Sequence, residues 1–308
     1  MAKGTHQYIE DPRNADILIN INGTLYPRDE AKISVFDSGF ILGDGVWEGI
    51  RLHKGHLAFI HQHMRRLYDG CKALDMHMDI SSDVLVQRIY DTCRQNKMHD
   101  AVHIRLMVTR GTKATPYQDP RVTITPPTIV IIAEHKKALA LAPGEGVNLH
   151  TTHVRRGYPD VQDPKLNTHS KLNCIFACIQ AAKAQADEAL MLDPHGFVAT
   201  CNSTHFFIVR DGEIWTSSGD FCLDGITRRN VINICKQNNI TVYEKNFSLA
   251  DVYSADEAFI TGTFAGLTPV KHVDGRSIDN RQDHSMTKHL ERLYVDLIEQ
   301  DHKNDIVK

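Results

Sequence analysis

The stretch Ile17-Leu18-Ile19-Asn20-Ile21-Asn22-Gly23-Thr24-Leu25-Tyr26 is the first strong structural signal along this sequence. Two short apolar runs flank Asn22-Gly23, a dipeptide that readily adopts the positive φ angles of a tight primed turn. The stretch therefore predicts a β-hairpin. Because helical patterns follow it, the chain begins as a mixture of strands and helices.

Beyond the hairpin, the spacing of apolar residues predicts helices and strands in mixed order. A helix is predicted over residues 60–74, where apolar side chains recur at helical spacing. The other predicted elements are a helix through Leu85, Ile89 and Cys93, strands at 102–110, 128–133 and 147–154, a helix at 171–186, a strand at 189–192, a hairpin of 204–209 with 213–216, a helix from Thr227 as N-cap to Asn239, a strand at 257–260, and a final helix through Leu290, Tyr294 and Ile298. This mixture, with several tight hairpins, favours the α+β fold class.

The length and composition predict two domains of an ordinary globular protein. The chain has 308 residues, of which 42% are hydrophobic and 24% charged, and one domain usually holds about 100 to 200 residues. We expect a small N-terminal domain over residues 1–133, a linker over residues 134–146 that contains one proline and two glycines, and a large C-terminal domain over residues 147–308.

The charge pattern favours a small-molecule partner over a macromolecule. Lys and Arg number 35 against 38 Asp and Glu, with a formal net charge of -3, so we expect no nucleic-acid or membrane partner. Seven cysteines without a Cys-x-x-Cys pair, and an N-terminus without an apolar signal core, predict reduced thiols and a cytoplasmic location. His61 and His63 lie two residues apart on a predicted helix and face different directions, so we expect no metal site.

Two segments have the features of anion-binding sites. Gly225-Ile226-Thr227-Arg228 begins a predicted helix, where free backbone N–H groups and the positive end of the helix dipole can bind a phosphate. Thr261-Gly262-Thr263 follows a predicted strand and offers similar backbone donors. Either segment could equally be an ordinary cap or turn. Arg66, on the predicted helix at 60–74, is a third phosphate contact or else a solvated arginine.

Two arginines are candidates for binding a substrate carboxylate. Arg105 and Arg110 lie on, or at the end of, one predicted strand and are an odd number of residues apart, so in a regular strand their side chains face opposite ways. A guanidinium group can bind a carboxylate through two parallel hydrogen bonds. We therefore expect at most one of the two arginines to face a substrate, with a surface ion pair as the alternative for either.

Motifs in a fixed order give the sequence a family resemblance. They are Val35-Phe36-Asp37-Ser38-Gly39-Phe40 with Gly43-Asp44-Gly45-Val46-Trp47-Glu48-Gly49-Ile50-Arg51, then His63-Met64-Arg65-Arg66-Leu67, Val108-Thr109-Arg110-Gly111, Ala186-Asp187-Glu188-Ala189-Leu190, Leu223-Asp224-Gly225-Ile226-Thr227-Arg228, and Thr261-Gly262-Thr263 with Thr268-Pro269-Val270. Over about residues 17–278, the sequence resembles the fold-type IV pyridoxal-phosphate enzymes. That family includes branched-chain and D-amino-acid aminotransferases, R-selective amine transaminases and aminodeoxychorismate lyase.

The resemblance implies an architecture, a cofactor and a set of site residues. The family has a small N-terminal and a larger C-terminal domain, with pyridoxal 5'-phosphate in the cleft between them, usually in a homodimer. By resemblance, the phosphate would be held by Arg66, Ile226, Thr227 and Thr263, Gly225 and Gly262 would also bind the cofactor, and Trp47 would help wall the substrate pocket. Arg110 matches the carboxylate-binding arginine of the D-amino-acid type, whereas His103-Ile104-Arg105 matches a Tyr-Ile-Arg run of the branched-chain type.

The sequence departs from this family at two positions that matter for chemistry. Thr200 stands where the family has a glutamate that meets the ring nitrogen of the cofactor, and a threonine could hydrogen-bond an unprotonated nitrogen but could not stabilise a pyridinium by charge. The usual imine lysine falls on Leu166, Asn167 or Thr168, depending on the subfamily, and none of these is a lysine. Lys165 and Lys171 flank the gap, and Lys171 is the preferred candidate.

The leading hypothesis is an aminotransferase whose Lys171 forms the imine with pyridoxal phosphate and moves the proton at the substrate α-carbon. Its substrates would be a branched-chain or related amino acid, or an amine, and a keto-acid acceptor. One alternative is lyase or racemase chemistry with the same cofactor. Another is a non-catalytic family member that has lost the imine lysine. The sequence leaves the substrate, its handedness and the oligomer size open.

Overall fold

A computed structural model describes residues 9–136, 145–278 and 285–306. These residues divide into two compact units, each described here by itself. The N-terminal unit comprises residues 9–136, 166–170 and 304–306, and the C-terminal unit comprises residues 145–165, 171–278 and 285–303. Most of the linker expected at residues 134–146 lies outside the described residues. The return of residues 166–170 to the N-terminal unit was not anticipated from the sequence.

The N-terminal unit is a sheet whose two long helices pack on one face. Its strands are β1 (Leu18–Ile21), β2 (Thr24–Pro27), β3 (Gly45–His53), β4 (His56–Leu57), β5 (Val102–Thr109) and β6 (Thr128–His135), and its helices are α1 (Ser38–Leu42), α2 (Ile60–Ala73) and α3 (Ser82–Gln95). The predicted hairpin joins β1 to β2, with φ of 54° at Asn22 and 92° at Gly23. The strand order is β2-β1-β6-β5-β3-β4.

The two faces of this sheet have different roles. Alternate side chains of β3, including Val46, Ile50 and Leu52, enter the hydrophobic core with the apolar faces of α2 and α3. The intervening residues, Trp47 and Arg51 among them, lie on the opposite face, which we call the outer face. In the antiparallel register with β5, Trp47 lies opposite Met107 and Gly49 lies opposite Arg105.

The C-terminal unit is built on a second, larger sheet. Its strands are β7 (Val147–Thr151), β8 (Glu188–Leu192), β9 (Val198–Cys201), β10 (His205–Arg210), β11 (Glu213–Thr216), β12 (Val242–Glu244), β13 (Glu257–Gly262), β14 (Gly266–Val273) and β15 (Arg276–Ser277). Its helices are α4 (Pro159–Gln162), α5 (Leu172–Lys183), α6 (Ile226–Gln237), α7 (Leu249–Tyr253) and α8 (Met286–Ile306). The strand order is β12-β11-β10-β13-β14-β7-β8-β9, with β15 paired to β14.

The start of α6 differs from the sequence expectation. Gly225 is the N-cap and Thr227 is already inside the helix, where its side chain is buried. The physical reason is close packing, since a Cβ at position 225 would collide with the His205 ring. A residue with a side chain could not occupy the cap here without displacing the His205 ring.

Both units combine a largely antiparallel sheet with separate helices, which confirms the α+β expectation. The parallel pairs are β7 with β8, β7 with β14, and β11 with β12. Among the described residues, no helix is both long and apolar enough to cross a lipid bilayer.

Candidate functional site

The N-terminus of α6 has backbone donors without a side-chain cap. Gly225, the N-cap residue, carries no side chain, and the cap makes no side-chain hydrogen bond. The first N–H groups of a helix have no partner inside the helix, so these donors suit an anion. Thr227 is 3% exposed, and its hydroxyl lies 3.3 Å from the hydroxyl of Tyr294.

The structure brings this helix start next to the end of β13. His205, which packs against Gly225, is the cross-strand partner of Thr261. The Thr261 hydroxyl is fully buried and makes no hydrogen bond to any described residue. Gly262 and Thr263 follow directly and are half-buried. The two anion sites inferred separately from the sequence are thus one cluster, with an orphaned hydroxyl that a bound oxyanion could satisfy.

Thr200 is buried on β9, and its hydroxyl proton is already used in a hydrogen bond within the protein. Its hydroxyl donates a hydrogen bond of 2.8 Å to the carbonyl oxygen of Thr204. While that bond is made, Thr200 can only accept a hydrogen bond, so it does not act as the donor to an unprotonated ring nitrogen that the sequence suggested. Glu188, the buried carboxylate nearby in this network, accepts from the N–H and hydroxyl of Ser203 and from the hydroxyl of Thr204.

Asn167 is hydrogen-bonded to strand β3 through both its side chain and its backbone. Its side-chain amide donates to the carbonyl oxygen of Trp47 at 2.6 Å, and its backbone carbonyl accepts from the Trp47 N–H at 3.0 Å. The Thr168 carbonyl accepts from the Trp47 indole at 3.1 Å, and His169 donates through its backbone to Gly45. These bonds hold the segment where the family's lysine was expected, and none of the expected positions is a lysine.

The two candidate lysines differ in exposure. Lys171 is the residue before α5 and is half-buried, whereas Lys165 is exposed. Lys171 follows the segment bonded to β3 by one residue.

Arg105 and Trp47 meet on the outer face of the N-terminal sheet. The guanidinium carbon of Arg105 lies 3.5 Å from the centre of a Trp47 ring, a cation–π contact. Arg105 makes no hydrogen bond or ion pair with any described residue, and burial lowers its pKa. A second cation, Lys136, interacts electrostatically with Arg105. Burial lowers the pKa of Lys136, Glu134 raises it, and Arg105 lowers it further. Arg105 is therefore a partly desolvated cation with open donors.

Arg110 is engaged by the protein itself. Its guanidinium pairs with Asp44 through Nε at 2.6 Å and Nη2 at 3.1 Å, and it also donates to the carbonyl oxygens of Leu74 and Asp75. This arrangement corresponds to the ion-pair alternative for Arg110. Of the two arginines, only Arg105 retains a pair of donors that could bind a carboxylate bidentately.

Arg66 belongs to a buried cluster that the sequence reasoning missed. It donates to both oxygens of Glu48, at 2.7 and 2.6 Å, and His63 Nδ1 lies 2.7 Å from Glu48 in a third hydrogen bond. Burial raises the pKa of Glu48, but Arg66 and His63 outweigh it, so the pKa is lowered. The signal was present, because Glu48 interrupts the apolar face of β3 and a buried carboxylate needs such partners. Any contact of Arg66 with a phosphate would be additional to this pairing.

Comparison with known proteins gives one consistent result. Residues 45–273 match the amino-transferase class IV family. The chain is 36% identical over 286 residues to the branched-chain-amino-acid aminotransferase-like protein 2 of Arabidopsis thaliana, a match covering 93% of this chain and 51% of the relative. It is 40% identical over 281 residues to the putative branched-chain-amino-acid aminotransferase of Methanocaldococcus jannaschii, covering 91% and 96% respectively. The chain thus spans about half the length of the Arabidopsis relatives it matches.

A solved structure has the same fold. It is the T.th. branched-chain amino acid aminotransferase complexed with N-(5'-phosphopyridoxyl)-L-glutamate. The TM-score is 0.84 at 30% identity, and the match covers 92% of this chain and 94% of the other.

Proposed function

This chain belongs to the class IV aminotransferase family, and from that premise we propose that it is a pyridoxal-phosphate-dependent aminotransferase. It would transfer the amino group of a branched-chain or related amino acid, or of an amine, to a keto-acid acceptor. We further propose that it acts as a homodimer in the cytoplasm. The single observation that carries the proposal is the cluster at the start of α6, where uncapped N–H groups and the orphaned Thr261 hydroxyl suit a phosphate.

The residues of the C-terminal unit fit the phosphate of the cofactor. Ile226 and Thr227 would donate from the first turn of α6, and Thr263 would donate from the end of β13, with Gly225 and Gly262 leaving room for close approach. When bound, pyridoxal phosphate supplies an aldehyde that condenses with amines and a ring that delocalises an electron pair. Thr200 would accept a hydrogen bond at the ring and would leave it without a carboxylate partner.

Arg105 and Trp47 would bind and orient the amino acid. The open donors of Arg105 suit a carboxylate, and Trp47 offers an apolar surface beside it for a branched aliphatic side chain. Burial strengthens this charge-assisted interaction relative to one in water. Arg110 would contribute only indirectly, by fixing the turn before β3 through Asp44.

Lys171 would hold the cofactor and move the proton. Its Nζ would hold the cofactor covalently, and the same amine would accept the proton from the substrate α-carbon. Its half-buried position supports this role over exposed Lys165. The absence of a ring carboxylate predicts that proton transfer, rather than cofactor binding, limits the rate.

Covalent trapping tests the proposal directly. Purified protein would be mixed with pyridoxal phosphate, its visible spectrum recorded, and the bond reduced with borohydride before peptide mapping. We expect an absorption band at longer wavelength than that of the free aldehyde and a pyridoxyl group on Lys171. Lys171→Ala should lose both signals, whereas the matched Lys165→Ala should keep them.

Three outcomes would contradict parts of the proposal. A label on Lys165 would move the attachment to that residue. A label on neither lysine, with tight binding of the cofactor, would remove the covalent chemistry. A labelled enzyme that transfers no amino group from a broad panel of amino acids and amines to keto acids would remove the aminotransferase activity itself.

A second candidate function is a non-catalytic pyridoxal-phosphate-binding protein. The observation that favours it is the commitment of Asn167 to the peptide of Trp47, together with the hydrogen bond from Thr200 to Thr204. At both positions the side chain makes a hydrogen bond to a backbone carbonyl, where the family has a residue that takes part in the chemistry. Saturable binding without a reducible covalent bond would select this function over the aminotransferase.

A further inference from the structure

A cavity in the N-terminal unit lies apart from every residue discussed above as a site residue. It has a volume of about 380 Å³ and is bounded by the β1–β2 turn, by the chain before α3, and by the end of the loop that leads into β6. This volume lies within the range of about 300 to 1,000 Å³ that small-molecule sites occupy. No role discussed so far uses it.

Arg88 of α3 is the cation of this cavity. Its guanidinium lies against the turn at Gly23, with Cζ 3.5 Å from the position that a Cβ of Gly23 would occupy. The side chain is half-buried and makes no hydrogen bond or ion pair with any described residue. A guanidinium group has five N–H donors, so Arg88 can present a fork of donors to a ligand.

The turn that Arg88 contacts is held in place. Asn22 donates its backbone N–H to the carbonyl oxygen of Ile129 at 2.9 Å, and its side chain accepts from the Ile129 N–H at 2.7 Å. These two bonds fasten the tip of the β1–β2 hairpin to the start of β6. The wall beside Arg88 is therefore preformed, and a ligand would not have to order it.

Two threonines line the same cavity. Thr112 and Thr128 line it, and neither side chain makes a hydrogen bond to a described residue. Their positions are fixed through the backbone, since Thr112 donates to the Thr125 hydroxyl at 2.8 Å and Thr128 pairs with Thr109 between β5 and β6. The Thr112 hydroxyl can donate to an oxygen of a bound anion, whereas the Thr128 side chain, in register with Thr109, lies on the outer face of the sheet.

The remaining lining is mostly apolar, and its one acidic side chain is exposed. Met78, Ile80, Pro127 and Ile129 supply apolar surface. Asp79 lies on the lining, but it is exposed and faces His77, with Nε2 to Oδ1 at 3.5 Å. Its charge is screened by solvent and leaves Arg88 as the charge that a ligand meets inside.

We propose that this cavity binds a small aliphatic carboxylate, with the carboxylate on Arg88 and Thr112 and the hydrocarbon against Met78 and Ile80. One cation, one hydroxyl and an apolar wall match a single acidic group attached to a short apolar chain. The site is independent of the proposed aminotransferase site, because it shares no residue with it.

Methyl NMR of methionine-labelled protein tests the proposal with 3-methylbutanoate as the probe. Met78 lines the cavity, whereas Met107 lies opposite Trp47 on the outer face, so the two methyl signals report the two places separately. We expect saturable shifts of the Met78 signal in the wild type and in Arg105→Gln. We expect at least a tenfold weaker response in Arg88→Gln.

Controls separate charge from hydrophobic contact. The neutral isostere 3-methylbutanamide should shift Met78 at least tenfold less well than the carboxylate, and an equal response would overturn the role of Arg88. Arg88→Lys keeps the charge and loses the fork, so it should bind with intermediate affinity. Because the Arg88 side chain makes no hydrogen bond to a described residue, both variants should fold.

Two results would overturn the site itself. One is a Met78 signal that stays unchanged while the probe is raised to tens of millimolar. The other is a Met78 shift that survives Arg88→Gln but disappears in Arg105→Gln, which would assign the binding to the outer face instead.

Discussion

Arg105 is the residue on which the substrate proposal depends most directly. Replacing it with Gln removes the charge and the paired donors, and charge-assisted hydrogen bonds contribute about 1.5 to 3 kcal/mol each. We expect Arg105→Gln to raise KM for a branched-chain amino acid by about 10- to 100-fold while the protein keeps its cofactor. Steady-state kinetics with the amino donor varied would measure this change.

Arg110→Gln is the matched control for that experiment. Arg110 pairs with Asp44 and two backbone carbonyls, so its loss should lower the free energy of unfolding and change KM little. If Arg110→Gln raised KM more than Arg105→Gln did, the substrate carboxylate would have to be reassigned to Arg110.

The buried ion pair between Glu48 and Arg66 leads to a prediction about the stability of the protein. The side chain of Glu48 is 1% exposed, so Arg66→Ala would leave a buried carboxylate with His63 as its remaining ionic partner among the described residues. Breaking a buried ion pair costs about 3 to 5 kcal/mol. Urea unfolding should show that Arg66→Ala lowers the free energy of unfolding by that amount. Arg65, one residue away, is 83% exposed, so Arg65→Ala should leave the free energy of unfolding nearly unchanged. Equal losses in both variants would refute the buried-pair account.

The same cluster predicts how the free energy of unfolding changes with pH. The pKa of Glu48 is lowered in the folded protein, so its contribution to stability is present above the unfolded value of about 4.3 and is lost as the pH falls through the folded pKa. Glu48→Gln should therefore reduce the loss of unfolding free energy between pH 5 and acid. An identical slope in wild type and variant would contradict this assignment.

At the scale of elements, the start of α6 gives the sharpest prediction. A Cβ at Gly225 would collide with His205, so Gly225→Ala should shift the first turn of α6 and weaken pyridoxal phosphate binding by about tenfold, or about 1.4 kcal/mol. Gly157→Ala is the matched control, because a Cβ there would meet nothing within 4 Å. Fluorescence titration with the cofactor would measure both. Unchanged affinity in Gly225→Ala would argue against a phosphate at this helix.

Elements with strong periodicity could be predicted from the sequence, and those without it could not. The helix expected at 60–74 is α2 (Ile60–Ala73), and the strand expected at 102–110 is β5 (Val102–Thr109). By contrast β3 was not predicted, although it pairs along its length with β5. Its two glycines and its charged residues hide the alternation of apolar side chains, and only the long-range pairing with β5 reveals it.

The candidate site was predictable where a local backbone signal existed. The candidate anion-binding segments at Gly225 and Thr261 could be proposed from short motifs, since a helix start or a strand end displays its donors locally. What could not be inferred was the state of individual side chains. The bond of Asn167 to Trp47 and that of Arg110 to Asp44 join residues far apart in sequence. Such pairings follow from the fold as a whole.

For the whole molecule, cysteine reactivity offers a simple measure of the fold. Burial raises the pKa of Cys71, Cys93 and Cys235 to about 12, and burial also raises that of Cys201 and Cys222. Only Cys178 is exposed, and Cys174 is half-buried beside Arg156. A thiol reagent should therefore label Cys178 fast and Cys174 more slowly.

Denaturation provides the control for that measurement. In guanidinium chloride all seven thiols should react, and Cys178→Ser should remove only the fast phase in the native protein. Rapid labelling of Cys71 or Cys235 in the native state would contradict the packing of their units.

The return of residues 166–170 to the N-terminal unit bears on how the protein can be divided. Strand β4 pairs with β3 only at Leu52 and His53, so the first half of β3 is covered on that side by Asn167, Thr168 and His169. A fragment ending at residue 136 would expose these backbone groups as a template for other strands. Such a fragment should self-associate during expression, and adding a synthetic peptide of residues 163–172 should keep it monomeric. Cutting the polypeptide at its apparent domain boundary would thus turn a well-folded unit into an aggregating one.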